Sequence, residues 1–167
     1  VSVGVWGGFV FVSLAPAMPF ADLVAPLDAR ASFLPLGEFR RDPAGDRHFD
    51  VQAHWALWCE NYLEGFHVPW VHPGLAAALD WRAYRTEIAD WAVVQVGISP
   101  DVVFTLPPGH PDAGSSVGGL YFHLFPLTTL NFYPWGLSVN VVEPRGPVCT
   151  RIRYHTCYSI NIGPRVH

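Results

Sequence analysis

A chain of 167 residues is one domain's worth, able to bury about 70% of its unfolded surface. Half of it is apolar and 14% is charged, which excludes intrinsic disorder, and a net charge of −4 argues against nucleic acid or an anionic membrane as partner. Three cysteines without framework spacing, and no secretory signal, lead us to expect a cytoplasmic protein.

From the N-terminus, Val3–Leu14 is apolar but short, and carries Gly4, Gly7, Gly8 and Ser13. It reads as one buried strand and not as a spanning helix. Ala21–Ala29, with Pro19 and Pro26 about it, reads as a short helix. Leu36–Arg41 and His48–Ala53 read as a hairpin around Pro43-Ala44-Gly45-Asp46. Trp55–His67 has one Gly, near its end, and no Pro, and predicts a helix; Trp55, Trp58, Tyr62 and Phe66 recur at three and four and give it one buried face. Tyr84–Ile98 alternates imperfectly and holds one or two strands, and Pro107–Gly119 is a loop rich in Pro, Gly and Ser. Strands follow over Leu120–Phe125, Thr128–Tyr133 and Leu137–Glu143, and a turn at Pro144-Arg145-Gly146-Pro147 leads into Val148–Ile160. In that last strand Ile152, Tyr154, Thr156 and Tyr158 alternate with Arg151, Arg153, His155 and Cys157, so one face is the more solvent-like. Successive strands with few helices indicate an α+β fold.

The chemistry concentrates in Cys59–Gly74. Glu64 and His67 stand three apart, neighbours on a helix surface. His67 and His72 are five apart, which on a straight helix is about 500° of rotation, so the rings would diverge by roughly 140°. Pro69 would clash with the Gly65 carbonyl and biases Val68 away from helical angles, so the chain is expected to kink or end there and swing His72 back toward His67. Pro73-Gly74 then closes the segment. Neutral imidazoles suit first-row metals, and two His with one carboxylate form the facial set of non-haem Fe(II) oxygenases.

The pattern Glu60-Asn61-x-x-Glu64-x-x-His67-x4-His72-Pro73 closely resembles the iron-binding motif of Rieske-type non-haem iron oxygenases, in the catalytic domain of their alpha subunit. Phe125-Pro126, Asn131–Asn140 and Glu143-Pro144 resemble the sheet of that domain, and Trp6–Leu14 the strand that follows the Rieske domain. At the helix start the chain reads His54-Trp55-Ala56 where relatives often have Asn-Trp-Lys. The resemblance implies a curved antiparallel sheet with packed helices, of helix-grip (START/Bet v 1-like) type. It implies that His67 and His72 bind mononuclear Fe(II), with Glu64 as the electron-transfer bridge toward the Rieske cluster of a neighbouring subunit. The implied activity is a mono- or dioxygenase that activates O2 to hydroxylate or demethylate a small organic substrate. Electrons would come from NAD(P)H through a reductase or ferredoxin and a [2Fe-2S] Rieske cluster, in a homo-oligomer, a trimer, of the parent.

Two departures qualify this. A Rieske cluster needs Cys-x-His and Cys-x-x-His pairs, and none of Cys59, Cys149 and Cys157 has His at either offset. The family's third ligand, an Asp far downstream of the second His, has no counterpart: no acidic segment follows Tyr158, and Asp80, Asp90, Asp101 and Asp112 are not assigned to it. With a first residue of Val and not Met, residues 1–167 are therefore expected to be a partial catalytic domain without the Rieske domain, inactive in isolation. The alternatives are a non-catalytic module for a hydrophobic ligand, or an inactive remnant. Seven Trp read as core and interface residues before an aromatic cage, and His123 and His155 as structural before pocket-facing. Gly7-Gly8 and Gly118-Gly119 read as bulges or close approaches.

Overall fold

The computed structural model describes residues 1–159. Two strands, β1 (Ser2–Trp6) and β2 (Phe9–Ser13), precede helix α1 (Phe20–Ala31) and a short 3-10 turn at Leu36–Glu38. Strand β3 (Phe39–Val51) leads to helices α2 (Trp55–Leu63), α3 (Val68–Val71) and α4 (Pro73–Ala78). Strands β4 (Arg85–Ile88), β5 (Ala92–Ile98), β6 (Val117–Leu124), β7 (Thr128–Tyr133), β8 (Gly136–Gly146) and β9 (Cys149–Ser159) complete the chain. Seven strands form one antiparallel sheet in the order β3-β9-β8-β7-β6-β5-β4, and β1-β2 form a separate ribbon. The expected α+β class with an antiparallel sheet is what the chain adopts. No helix among the described residues is long and apolar enough to cross a membrane.

Side chains of a strand alternate between faces, and here the two faces differ in kind. The row Val94, Phe122, Leu130, Val139, in register across β5 to β8, points into the larger core. There Leu120, Phe122, Phe132 and Leu137 are fully buried beneath Trp6 of the ribbon and Val24, Leu27 and Ala31 of α1. Burial of each such side chain stabilises by roughly 1.5–3 kcal/mol. The neighbouring row Gln95, Tyr121, Asn131 points to the opposite face. That face is covered by α2, which seats Cys59, Trp55 and Trp58 on Val142 and Ile152.

Several expectations change at the ends of elements. Val3–Leu14 is a hairpin and not one buried strand. Gly7 and Gly8 have φ of +55° and +86°, the positive values that a two-residue hairpin turn requires at both positions. Val3, Val5, Val10 and Val12 lie exposed on its outer side. The expected hairpin about Pro43–Asp46 is one long edge strand. Both halves pair with β9, and from Asp42↔Thr156 to Arg47↔Tyr154 β3 advances five residues while β9 moves two. The surplus falls outside the paired positions, where the missing N–H of Pro43 breaks no ladder bond. Asp46 ties the bulge down, accepting from Arg41 Nε at 3.0 Å, His155 Nδ1 at 3.1 Å and Thr156 N at 3.3 Å.

Helix α2 ends at Leu63 and not at His67, and Glu64 is extended (φ −102°, ψ 145°). Its carboxylate accepts the N–H groups of Phe66 (2.5 Å) and His67 (3.2 Å), which a continuing helix would have donated to its own carbonyls. Phe66, expected on the buried face, is therefore swung out and is 88% exposed. Pro69 falls in the first turn of α3, and Pro73 opens α4 where it was expected to close the segment. In β9 the alternation holds through Arg151, Arg153 and His155, but Cys157 is buried in the larger core, so the polar face does not run its whole length. Ile160, the expected last residue of that strand, and the tail after it lie outside the described residues.

Candidate metal centre and its cavity

The end of α2, α3 and α4 stand over the polar face of the sheet and enclose a cavity of about 630 Å3. Its floor is Gln95, Tyr121, Asn131, Tyr133 and Asn140; Trp81 and Tyr84 wall one side; Trp58, Tyr62, Glu64, His67 and His72 form the roof. The rings continue into one another. Trp81 stacks on Tyr84 at 5.3 Å, Tyr84 on Tyr121 at 6.4 Å, and Tyr121 meets Tyr133 edge-on at 5.8 Å. Burial raises the phenols of Tyr62, Tyr84 and Tyr121 well above their ordinary range, neighbouring phenols adding to it, and Tyr133 is pushed up to about 12. These hydroxyls stay neutral at physiological pH.

His67 and His72 flank the single turn of α3, whose last bond runs from His72 N to Val68 O at 3.0 Å. That turn closes the five-residue gap: the two rings lie 5.2 Å apart at 77°. Glu64 Oε1 meets His67 Nδ1 in a short contact. Burial pushes the Glu64 carboxyl up, but His67 and the Phe66 and His67 N–H groups outweigh it and hold the carboxyl below its ordinary value. A carboxylate on Nδ1 fixes the ring and its tautomer and leaves Nε2 as the nitrogen able to take a metal. The sequence-predicted trio Glu64, His67 and His72 is thus brought together, though Glu64 acts from an extended residue and not from a helix surface. Beside it Phe66, Trp70 and Val71 stand exposed.

The donor set fits a metal only in part. Two imidazoles lie side by side, one oriented by a carboxylate. Among the described residues no three His, Cys, Asp or Glu side chains are arranged to hold an ion. Asp112 is 4% exposed but lies in an ion cluster with Arg30 Nε (3.1 Å) and Arg85 Nη2 (2.7 Å). Asp80, Asp90 and Asp101 do not line the cavity either. His123 is buried, bonded to the Pro126 carbonyl at 3.2 Å, and its imidazole is pulled down by burial; His155 bonds Asp46. Both are structural here. Of the Trp residues, Trp58 and Trp81 line the cavity, while Trp6 belongs to the core. Sequence reading passed over Gln95, Tyr84, Tyr121, Asn131, Tyr133 and Asn140. For all but Tyr84, which precedes β4, their signal was an amide or phenol set among the apolar residues of a strand.

Residues 40–162 match the family model of the ring-hydroxylating alpha subunit, catalytic domain. Among curated proteins the chain is 31% identical over 157 residues to the chloroplastic choline monooxygenase of Arabidopsis thaliana, covering 87% of this chain and 36% of that protein. It is 29% identical over 150 residues to putrescine 2-hydroxylase of Bordetella bronchiseptica, covering 79% and 33%. The chain thus spans about a third of the length of these relatives. Among solved structures, a quaternary ammonium Rieske monooxygenase in complex with L-carnitine superposes with a TM-score of 0.70 at 17% identity, covering 99% of this chain and 42% of that one. Naphthalene 1,2-dioxygenase from Rhodococcus sp. gives 0.69 at 12%, covering 97% and 46%. These likenesses speak for the fold.

Proposed function

Because the chain belongs to the ring-hydroxylating alpha-subunit family, through its catalytic domain, we propose that residues 1–167 form part of an oxygenase that hydroxylates or demethylates a small organic substrate. His67 and His72 are read as two ligands of a mononuclear Fe(II), and Glu64 as the carboxylate that orients His67 and bridges toward a Rieske cluster held outside this chain. One observation carries the reading: the turn of α3 brings the two rings to 5.2 Å while Glu64 holds Nδ1 of one of them. When bound, the iron supplies O2 chemistry with electrons from NAD(P)H by way of a reductase or ferredoxin.

The chain's own residues do the rest. Glu64 keeps the proton of His67 on Nδ1. The buried phenols and amides offer neutral donors and acceptors to a polar substrate group. The relatives' names mention choline, putrescine and quaternary ammonium compounds. An amine or ammonium substrate is supported here by the aromatic side chains of Trp58, Trp81, Tyr84 and Tyr121 in the cavity lining, since aromatic rings attract cations. The exposed Phe66, Trp70 and Val71 beside Glu64 support docking of a neighbouring subunit in a homo-oligomer, a trimer.

The test is metal stoichiometry after anaerobic loading with Fe(II) or Co(II). His67→Ala and His72→Ala should abolish binding, and Glu64→Gln should retain it. Equal loss in Glu64→Gln would make Glu64 a ligand and end the bridging role. A second reading, a module that holds an apolar ligand without redox chemistry, is favoured by the lack of a third His, Cys, Asp or Glu beside the two imidazoles among the described residues. Absence of metal binding in the unmodified chain would select it.

A further inference from the structure

We propose that Gln95 and Asn131 are positioning residues: two buried amides on the cavity floor that clamp Tyr62 and so set where Glu64 and His67 leave α2. In a continuing helix the Tyr62 carbonyl would accept the Phe66 N–H. That N–H goes instead to Glu64 Oε2, which orphans the carbonyl. Gln95 Nε2 fills the vacancy at 3.2 Å. The Gln95 amide is itself oriented, because its Oε1 accepts from Tyr84 OH at 3.0 Å. At the other end of the same residue, Tyr62 OH donates to Asn131 Oδ1 at 2.6 Å. Main chain and side chain of Tyr62 are thus both held, two residues before Glu64.

The anchors are rigid. Gln95 is 2% and Asn131 7% exposed, and both are in register with Tyr121, so they form one row across three paired strands. A buried amide costs stability unless it is bonded, and alternation alone would accept an apolar residue at either position. Their placement is explained by what they hold. The functional consequence rests on the iron-site reading; the clamp itself does not.

Thr150 offers a matched control. It is fully buried and its Oγ1 donates to the Ala53 carbonyl at 2.9 Å, which ties the opposite end of α2 to the sheet. The experiment compares the unmodified chain with Gln95→Met, Gln95→Glu, Tyr62→Phe and Thr150→Val. It reads amide exchange at Phe66 and His67 by NMR, Co(II) affinity and visible spectrum, and Tm. Gln95→Met and Tyr62→Phe should speed exchange at both amides about tenfold or more, weaken Co(II) about three- to tenfold, since they act on His67 only through Glu64, and alter its spectrum. Gln95→Glu keeps the acceptor for Tyr84 but loses the donor to Tyr62, and should behave as Gln95→Met. Thr150→Val should lower Tm while leaving exchange and Co(II) unchanged. If the Gln95 and Tyr62 variants behave as Thr150→Val does, the clamp is only structural and the proposal is overturned. If the Gln95 variants fail to fold, Tyr62→Phe, which deletes one hydroxyl, decides. If the unmodified chain binds no Co(II), the iron-site reading fails, and exchange at Phe66 and His67 still decides the clamp.

Discussion

Phe122 and Phe132 point from the sheet toward α1 and are wholly buried; Tyr121 and Asn131, one residue away on the same strands, point toward α2 and are 7% exposed. The residues of the two faces are nearly equally buried and differ in chemistry. One is filled with hydrocarbon and lowers the free energy of folding. The other retains phenols and amides that a core would not select, with Tyr62, Tyr84, Gln95 and Asn131 bonded to one another. Where a buried surface departs from the most stabilising choice, function is the expected reason.

The largest effect should fall on the hydrocarbon face. Phe132→Ala is expected to cost about 3–5 kcal/mol in urea denaturation, whereas Tyr121→Phe, which removes a hydroxyl on the cavity face, should cost no more than about 1.5 kcal/mol. Similar losses would break the contrast. Next comes the lid of that face. Trp6 Nε1 donates to Asp28 Oδ1 at 2.7 Å, tying the β1-β2 ribbon to α1. Trp6→Phe should cost about 1.5–3 kcal/mol by the same measurement, since a charged acceptor loses its donor. On the cavity face, Trp81→Leu should weaken tetramethylammonium binding about three- to tenfold in calorimetry with little change in urea midpoint. Unchanged affinity would remove the cation reading.

The smallest effect concerns the edge, which neither face controls. Burial raises the Asp46 carboxyl, but Arg41, His155 and the Thr156 N–H outweigh it and hold it below its ordinary value of 3.8. A depressed folded-state value stabilises above the unfolded one and is lost as pH falls through the folded one. The protection factor of the Thr156 amide, its exchange rate taken against the intrinsic rate at each pH, should therefore be level above about pH 4 and fall below it, by a small amount for a pair this exposed. Protection that stays level through the whole acid range would overturn the role given to Asp46.

What could be read from the chain alone was local. Thr128–Tyr133 alternates cleanly and is β7 to the residue. The histidine pair was legible from its five-residue spacing, but not for the expected reason: the chain breaks at Glu64, and Val68 and Pro69 begin a new turn where a kink was expected. The helix end was not legible, since Phe66 keeps the helical period and only the Glu64 carboxylate, taking two N–H groups, breaks it. The ribbon turn hid inside an uninterrupted apolar run, with Gly7-Gly8 as its single mark. Pro43–Asp46 carries the same turn chemistry for a hairpin as for a bulge, and choosing between them requires knowing that β9, over a hundred residues on, pairs with both halves. The cavity floor was hidden for the same reason. Gln95, Tyr121 and Asn131 become neighbours only when three strands come into register.

The bulge in β3 also bears on how such a chain tolerates change. A strand inside a sheet cannot gain residues without shifting every partner on both sides. β3 has a ladder on one side, so it carries three extra residues while Phe39↔Ser159 and Val51↔Thr150 stay in step at either end. Length variation between descendants can accumulate there without reaching the cavity, and the bulge with its proline deprives a stray strand of a straight edge on which to add.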